Sequence, residues 1–550
     1  MSFSRSFLLP LAFVSIAAAP AAPSIAPADP AAAARVRGHI EFLADDLLEG
    51  RGTGTRGHEI AASYVASQFR ALGLQPAGEN GSWYQWVPLR RARLVEGKSN
   101  IAMSTGAAFA PVSEYELGLR PSLTETRRDL DAGMVFVGYG ISDDRLGLDD
   151  YAGLDVRGKI VVLLGGAPSG LPTEIAAHLG ADKLRAAAGH GAVGMLEIGG
   201  RRSSARPAGS PPVSLYSKRP AIDWIDKAGK SGDAWGSVRV TLNASPAMGE
   251  RLFEGAPKTL AAVRAEAAKK GGRPRGFALR PRIRIHSESA WEDFRSPEVV
   301  AKLPGSDPRL AAEHIVLMGH LDHLGLVTNP RPGADAVNNG ALDNAAGVAT
   351  MLEAARAFTA SGKPPRRSVM FIANTGEELG LLGADYFAAH PTVPASSIVG
   401  LVDLDMPLLL YPFTDVIAFG AEHSTVARAV ADAGRQMGVA VSPDPMPEES
   451  IFVRSDHYRF VTRGVPAILL MTGFANGGEA QWKNFLGKVY HTPADDLRQK
   501  IDWASAARYG ELNYRISRTL ADADQRPLWY KGDYFGDRFA SAAPRAAPRP

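Results

Sequence analysis

Four apolar runs of strand length dominate the second half of the chain: Ile315-Val316-Leu317-Met318, Val369-Met370-Phe371-Ile372, residues 398–404, and Ile468-Leu469-Leu470-Met471. Between the first two, Val348, Met351, Leu352, Ala355 and Phe358 recur at helical spacing, which predicts a helix over 345–360 with one buried face. Strands that alternate with helices predict an α/β fold with a mostly parallel sheet. In an open sheet of that kind the carboxyl ends of the strands converge on one crevice, where ligands bind. The residues just after each run are therefore the ones to inspect for chemistry.

They are acids and histidines. His320 directly follows the first run, Glu377-Glu378 follow the second after a short turn, and Asp405 ends the third. Asp322 follows His320 closely enough to hold the second ring nitrogen, the arrangement that orients a metal-binding imidazole. His323 is a competing ligand at the same strand end; His320 is favoured because it is nearer the strand. Asp343 lies where a Gly- and Asn-rich loop enters the 345–360 helix, so it can cap that helix or turn its carboxylate into the crevice. Adjacent glutamates after a buried run repel unless a metal or a proton relieves them. Asp403 and Asp405 share one face of their strand, and His491 stands beside Tyr490 near the C-terminus.

Two histidines and three carboxylates form a nitrogen and oxygen donor set suited to zinc. Sharing Asp343 would give each of two Zn2+ ions three protein ligands: His320 and Asp405 with one, Glu378 and His491 with the other. A water held between two such ions is acidified towards neutral pKa beside a polarised carbonyl, which describes amide hydrolysis.

The remainder of the chain frames this cluster. At 550 residues it exceeds what one hydrophobic core normally serves, so two or more units are expected. Val36, Ile40, Leu43 and Leu47 predict a first helix, and Ala61, Val65, Phe69 and Leu72 a second, closed by Gly73. Residues 126–285 change to short apolar runs broken by Gly, Pro and Asp, with a helix over 181–188, and predict a separate β-rich unit. The α/β domain then comprises residues 31–125 and 286–538, and the Ala-, Pro- and Arg-rich residues 539–550 are expected to be disordered. Residues 1–30 have a positive start, an apolar stretch too short to span a bilayer and small-residue cleavage sites, the pattern of a signal peptide. A periplasmic or secreted protein with no membrane span after cleavage is expected. With no cysteine, it must draw its stability from packing and metal. A net charge of +3 on so long a chain gives no reason to expect a nucleic-acid partner. The other histidines, among them His178 and His423, lack a convincing carboxylate or strand-end context and read as surface or packing residues.

At its five ligand positions the sequence resembles the co-catalytic two-zinc exopeptidases that include bacterial leucyl aminopeptidases, glutamate carboxypeptidase and the transferrin receptor ectodomain. The likeness extends from Phe42-Leu43-Ala44-Asp45-Asp46 and Gly50-Arg51-Gly52-Thr53-Gly54, through Ser455-Asp456-His457 and Gly464-Val465-Pro466-Ala467, to His491-Thr492. It implies a zinc exopeptidase domain of the phosphorylase/hydrolase-like fold, with the β-rich unit as an inserted protease-associated domain that shapes access to the site. It also implies Glu377 as the general base, Tyr490 as a hydrogen-bond donor to the developing oxyanion, and Asp322 steering His320. The expected activity is that of an aminopeptidase on peptide substrates, the alternatives being a carboxypeptidase or a receptor-like binding protein that lacks catalysis. Asp403 departs from the family's usual Asn at that position.

Overall fold

The computed structural model describes residues 29–549, except 105, 107, 200–213, 217, 218, 233 and 234. The signal peptide expected at 1–30 lies outside them, apart from its last two positions. Strands Ser368–Asn374, His314–His320, Ile398–Asp403 and Ala467–Thr472 lie side by side in that order, all parallel. Every residue of His314–His320 is buried, which explains why its run is continuously apolar rather than alternating. Antiparallel strands flank this centre, Val299 to Leu303 pairing with Ser368–Asn374 on one side and Asp415–Phe419 with Ala467–Thr472 on the other. The fold is α/β with a mostly parallel central sheet, as expected. Helices Pro30–Leu43, Ala346–Ala360 and Trp503–Asp522 pack against one another. The core they share with the sheet contains Ile40, Leu352, Phe371 and Tyr509, each at most 1% exposed.

A second core forms around Phe136, Ile160, Val162, Leu196 and Ile283. It takes in Ile101, Met103, Leu117 and Leu119 as well, because Asn100–Ser104 pairs with the strand Phe277–Leu303 and Leu117–Leu119 with Val240–Ala244. This β-rich unit therefore begins before residue 126. The 27-residue strand Phe277–Leu303 belongs to both cores and joins them.

Three local expectations are corrected. Leu47 is 84% exposed rather than on a buried helical face. The first helix stops at Leu43; the Asp45 carboxylate caps the Leu47 amide, and a 3-10 turn follows in which Glu49, Gly50 and Arg51 all have positive φ. Gly50 is required there, since a Cβ would lie 2.4 Å from the Asn338 carbonyl oxygen. The helix expected over 181–188 is found as Lys183–Gly189, and a second short helix that was not expected, Thr173–Ala181, precedes it and meets it at Asp182. Finally, the residues after Phe539 are held in place: Arg545–Ala546 pairs with Trp529–Tyr530, and the Arg545 guanidinium donates to the carbonyls of Gly536 and Ala540. Composition suggested disorder, but these donors find partly buried acceptors. Among the described residues no helix is long and apolar enough to cross a membrane.

Candidate metal centre

Parallel strands end on the same side, and that geometry gathers the sequence-predicted residues. His320 is the last residue of His314–His320, Asp405 lies just beyond Ile398–Asp403, and Glu377 and Glu378 follow Ser368–Asn374. Asp343 enters from the opposite wall, at a cis peptide bond to Asn344 just before the helix Ala346–Ala360. His491, with φ 57°, follows the helix Gly478–Lys488.

The two oxygens of Asp343 face different partners. Oδ1 is 3.2 Å from His320 Nε2, which is itself 3.1 Å from Asp405 Oδ1. Oδ2 is 3.2 Å from His491 Nε2, which lies 3.1 Å from Glu378 Oε2. All five expected ligands therefore meet around one carboxylate. His323 joins them, with Nδ1 2.6 Å from Glu378 Oε1 and 3.8 Å from Asp343 Oδ2, so histidines bracket both oxygens of Glu378. His320, Asp343 and Asp405 are spaced to hold one ion, and His323, Asp343 and Glu378 another.

The role expected of Asp322 is redistributed. Its backbone carbonyl, 3.0 Å away, meets His320 Nδ1, while its carboxylate stands 4.0 Å off. The carboxylate instead accepts from the Thr53 hydroxyl at 2.7 Å and the Glu377 amide at 3.3 Å, tying the His320 strand end to the glutamate turn. Tyr490 stacks on His491 with ring centroids 3.7 Å apart. Burial, followed by the charges of Asp343, Glu378, Glu377 and Asp405, keeps its phenol protonated far above the usual range.

Several buried residues to which sequence reading gave no role support this set. Asp495 accepts from the amides of Leu342 and Asp343, both at 2.9 Å, and burial raises its carboxyl to about 6. The guanidinium of Arg51, 1% exposed, donates to the carbonyls of Leu321, Leu43, Asn339 and Gly340, clamping the His320 and Asp343 segments together. The Ser455 hydroxyl lies 2.7 Å from Asp405 Oδ2 and 2.9 Å from Asp403 Oδ2, and the His457 amide donates to Asp403 at 3.1 Å. Asp403, the departure from the resembled family, is thus held by its neighbours, although its Oδ1 has no partner among the described residues. The only sequence signal for Arg51 and Ser455 was their place in the quoted motifs.

Electrostatics fit a cation site. Burial opposes protonation of His320, but the Asp405 charge and hydrogen bonds to Asp343 and Asp405 overcome it and hold the imidazole well above its ordinary range. Burial likewise opposes a charge on His491, yet its bonds to Asp343 and Glu378 raise it to about 10. Protonated forms of these rings would balance the neighbouring carboxylates, and a divalent ion bound by this set would displace those protons. Glu377 differs from the ligands. Burial first, then the charges of Asp405, Asp456 and Glu378 against the opposing His320, raise its carboxyl well above the normal range.

Residues 298–517 match the model described as peptidase family M28. Among curated proteins, the chain is 35% identical over 100 residues to a vacuolar membrane protease of Candida glabrata, covering 18% of this chain and 9% of that protein. It is 28% identical over 227 residues to leupeptin-inactivating enzyme 1 of Streptomyces exfoliatus, covering 40% of this chain and 47% of that one. The chain thus spans less than half the length of either relative. Among solved structures it is similar to an aminopeptidase from Aneurinibacillus sp. strain AM-1, at TM-score 0.48 and 20% identity over 94% of this chain and 97% of that one. A zinc aminopeptidase from Bacillus subtilis gives TM-score 0.42 and 16% identity, covering 90% of this chain and 95% of that one. The M28 match, residues 298–517, takes in all five expected ligands, and M28 is the family of co-catalytic zinc exopeptidases.

Proposed function

We propose that this protein is an aminopeptidase that hydrolyses N-terminal peptide bonds with two zinc ions bound per chain. The observation that carries this reading is the division of Asp343, whose Oδ1 faces His320 and whose Oδ2 faces His491. One carboxylate with separate imidazole partners on its two oxygens, beside Asp405 and Glu378, suits a pair of ions and fits the nitrogen and oxygen preference of zinc. His320, Asp405 and Asp343 would hold one ion; Glu378, His491 and Asp343 the other, with His323 adjoining Glu378. When bound, the pair supplies Lewis acidity that lowers the pKa of water and polarises a carbonyl.

The chain's own residues account for the proton and charge movements. Glu377, buried beside the proposed ligands with its carboxyl raised above the ordinary range, takes a proton from the attacking water and returns it to the leaving amine. The Tyr490 phenol, held protonated, donates to the oxygen that becomes negative in the transition state. Asp322 keeps the glutamate turn in register with the His320 strand end.

Preference for a free amino terminus is the reading adopted here. The charges of Asp343, Asp405 and Glu378 would be taken up by the ions they hold, so the choice of an ammonium over a carboxylate rests on the sequence resemblance to the leucyl aminopeptidases. The guanidinium of Arg51 spends its donors on four backbone carbonyls and is not free to receive a substrate carboxylate. The test is hydrolysis of aminoacyl-anilides with free or acetylated amino groups, and of a short peptide, before chelation, after it and with zinc restored. Cleavage of free amino termini only, lost with chelator and regained with zinc, supports the proposal. Release of C-terminal residues would replace it with a carboxypeptidase, and a zinc-loaded protein that cleaves nothing would point to a binding protein.

A further inference from the structure

The segment Ser455 to Tyr458 stands between the metal centre and the β-rich unit, and four successive residues of it make directed contacts. Ser455 meets Asp405 and Asp403 as described, Asp456 Oδ2 accepts from Asn374 Nδ2 at 2.7 Å, and the His457 amide reaches Asp403. Tyr458 turns the other way, placing its hydroxyl 2.7 Å from Nδ1 of His178 on the β-rich unit's helix Thr173–Ala181. His178 is itself fixed, since the rings of Tyr458, Tyr534, Phe535 and Phe539 surround it with centroids 5.4 to 6.3 Å away. The same helix is anchored at its start, where Glu174 Oε2 lies 3.1 Å from His423 Nε2 and the Thr173 carbonyl accepts from the Ser450 hydroxyl.

We infer that the β-rich unit positions Asp405 through His178, Tyr458 and Ser455, and thereby sets the affinity of the ion on the Asp405 side of the centre. The inference rests on the proposed role of Asp405 as a ligand. Its physical basis is short. Asp405 Oδ1 faces His320, so the orientation of its carboxylate is fixed by what holds Oδ2, and that is Ser455. Ser455 in turn occupies the first position of a segment whose last residue is pinned to another unit. Outer partners of metal ligands commonly change metal affinity when removed. His178 and Tyr458 are thus positioning residues, and neither touches substrate.

The experiment measures both zinc dissociation constants of the full chain by chelator competition, for the wild type and for Tyr458→Phe, His178→Phe and Ser455→Ala. Asp405→Asn identifies which constant belongs to the Asp405 side. The expected result is a rise of about tenfold in that constant alone for each of the three variants. The His178→Phe and Tyr458→Phe effects should be non-additive in the double variant. Tyr458→Phe loses a single oxygen and keeps the ring packing, so it decides the matter if another variant fails to fold. If Asp405→Asn leaves both constants unchanged, the ligand assignment itself falls. If Asp405→Asn weakens one ion but Tyr458→Phe leaves both constants at the wild-type values, or weakens the two equally, the positioning inference is wrong and the ligand assignment stands.

Discussion

The carboxylate of Asp495 accepts the backbone N–H of Asp343 at 2.9 Å, so the residue shared by the two halves of the centre is held by its main chain as well as by its ligand neighbours. The other Asp495 oxygen takes the Leu342 amide at the same distance, and both bonds are buried. Asp495→Asn keeps the volume but turns an NH2 group towards one of these amides. With Asp343 as the proposed shared ligand, both zinc dissociation constants should rise by about 10- to 100-fold. Chelator competition checks this; a rise in only one constant would argue that Asp343 serves a single ion.

Glu377→Gln separates chemistry from metal binding. The proposed base is not among the grouped ligand residues, so the variant should keep its zinc content while kcat falls by about 10²- to 10⁴-fold, the usual contribution of a general base. Metal analysis alongside steady-state kinetics reads both quantities. Loss of zinc together with activity would instead place Glu377 among the ligands.

Arg51 offers a test of architecture. Its guanidinium is buried against four carbonyl oxygens, and Arg51→Met leaves all of them without a charged donor. Unsatisfied buried groups cost about 1 to 3 kcal/mol each, and the costs are not additive, so a loss of about 3 to 5 kcal/mol in unfolding free energy is expected. Urea unfolding measures it. Arg37→Met, on an exposed helical face, serves as the control and should change stability little.

What could be read from the sequence follows from how locally each feature is encoded. The strand His314–His320 was legible because burial on both faces leaves an unbroken apolar run, and His320, Glu378 and Asp405 because they sit at strand ends. The end of the first helix was not, since Leu47 continues the apolar spacing while Asp45 caps the following turn and exposes it. Asp495 was invisible in its role because it acts on a backbone amide 152 residues away, a contact with no sequence period. Asp322 was placed correctly beside His320, but only the fold decides that its carbonyl, rather than its carboxylate, meets the ring. His423, which read as an ordinary surface or packing histidine, lies between two carboxylates from distant parts of the chain.

That histidine gives the stability of the protein a distinctive pH dependence. Its Nδ1 is 2.6 Å from Asp533 Oδ2 and its Nε2 is 3.1 Å from Glu174 Oε2, with Glu422 3.9 Å away. Burial disfavours the imidazolium, but hydrogen bonds to Asp533 and Glu174 and the charges of Asp533 and Glu422 outweigh it and raise the ring to about 10. An unfolded histidine titrates near ~6.5. Between those values the folded chain holds a proton that the unfolded chain has lost, so stability must fall as pH rises. The contribution is fully present below about pH 6.5 and is lost as pH climbs through about 10. Because Glu174 belongs to the β-rich unit while His423 and Asp533 belong to the α/β domain, this loss also weakens the contact between the two. Unfolding free energies of the wild type and His423→Gln, compared from pH 6 to pH 10, should therefore converge as pH rises; a constant difference across that range would show that His423 is neutral in the folded protein.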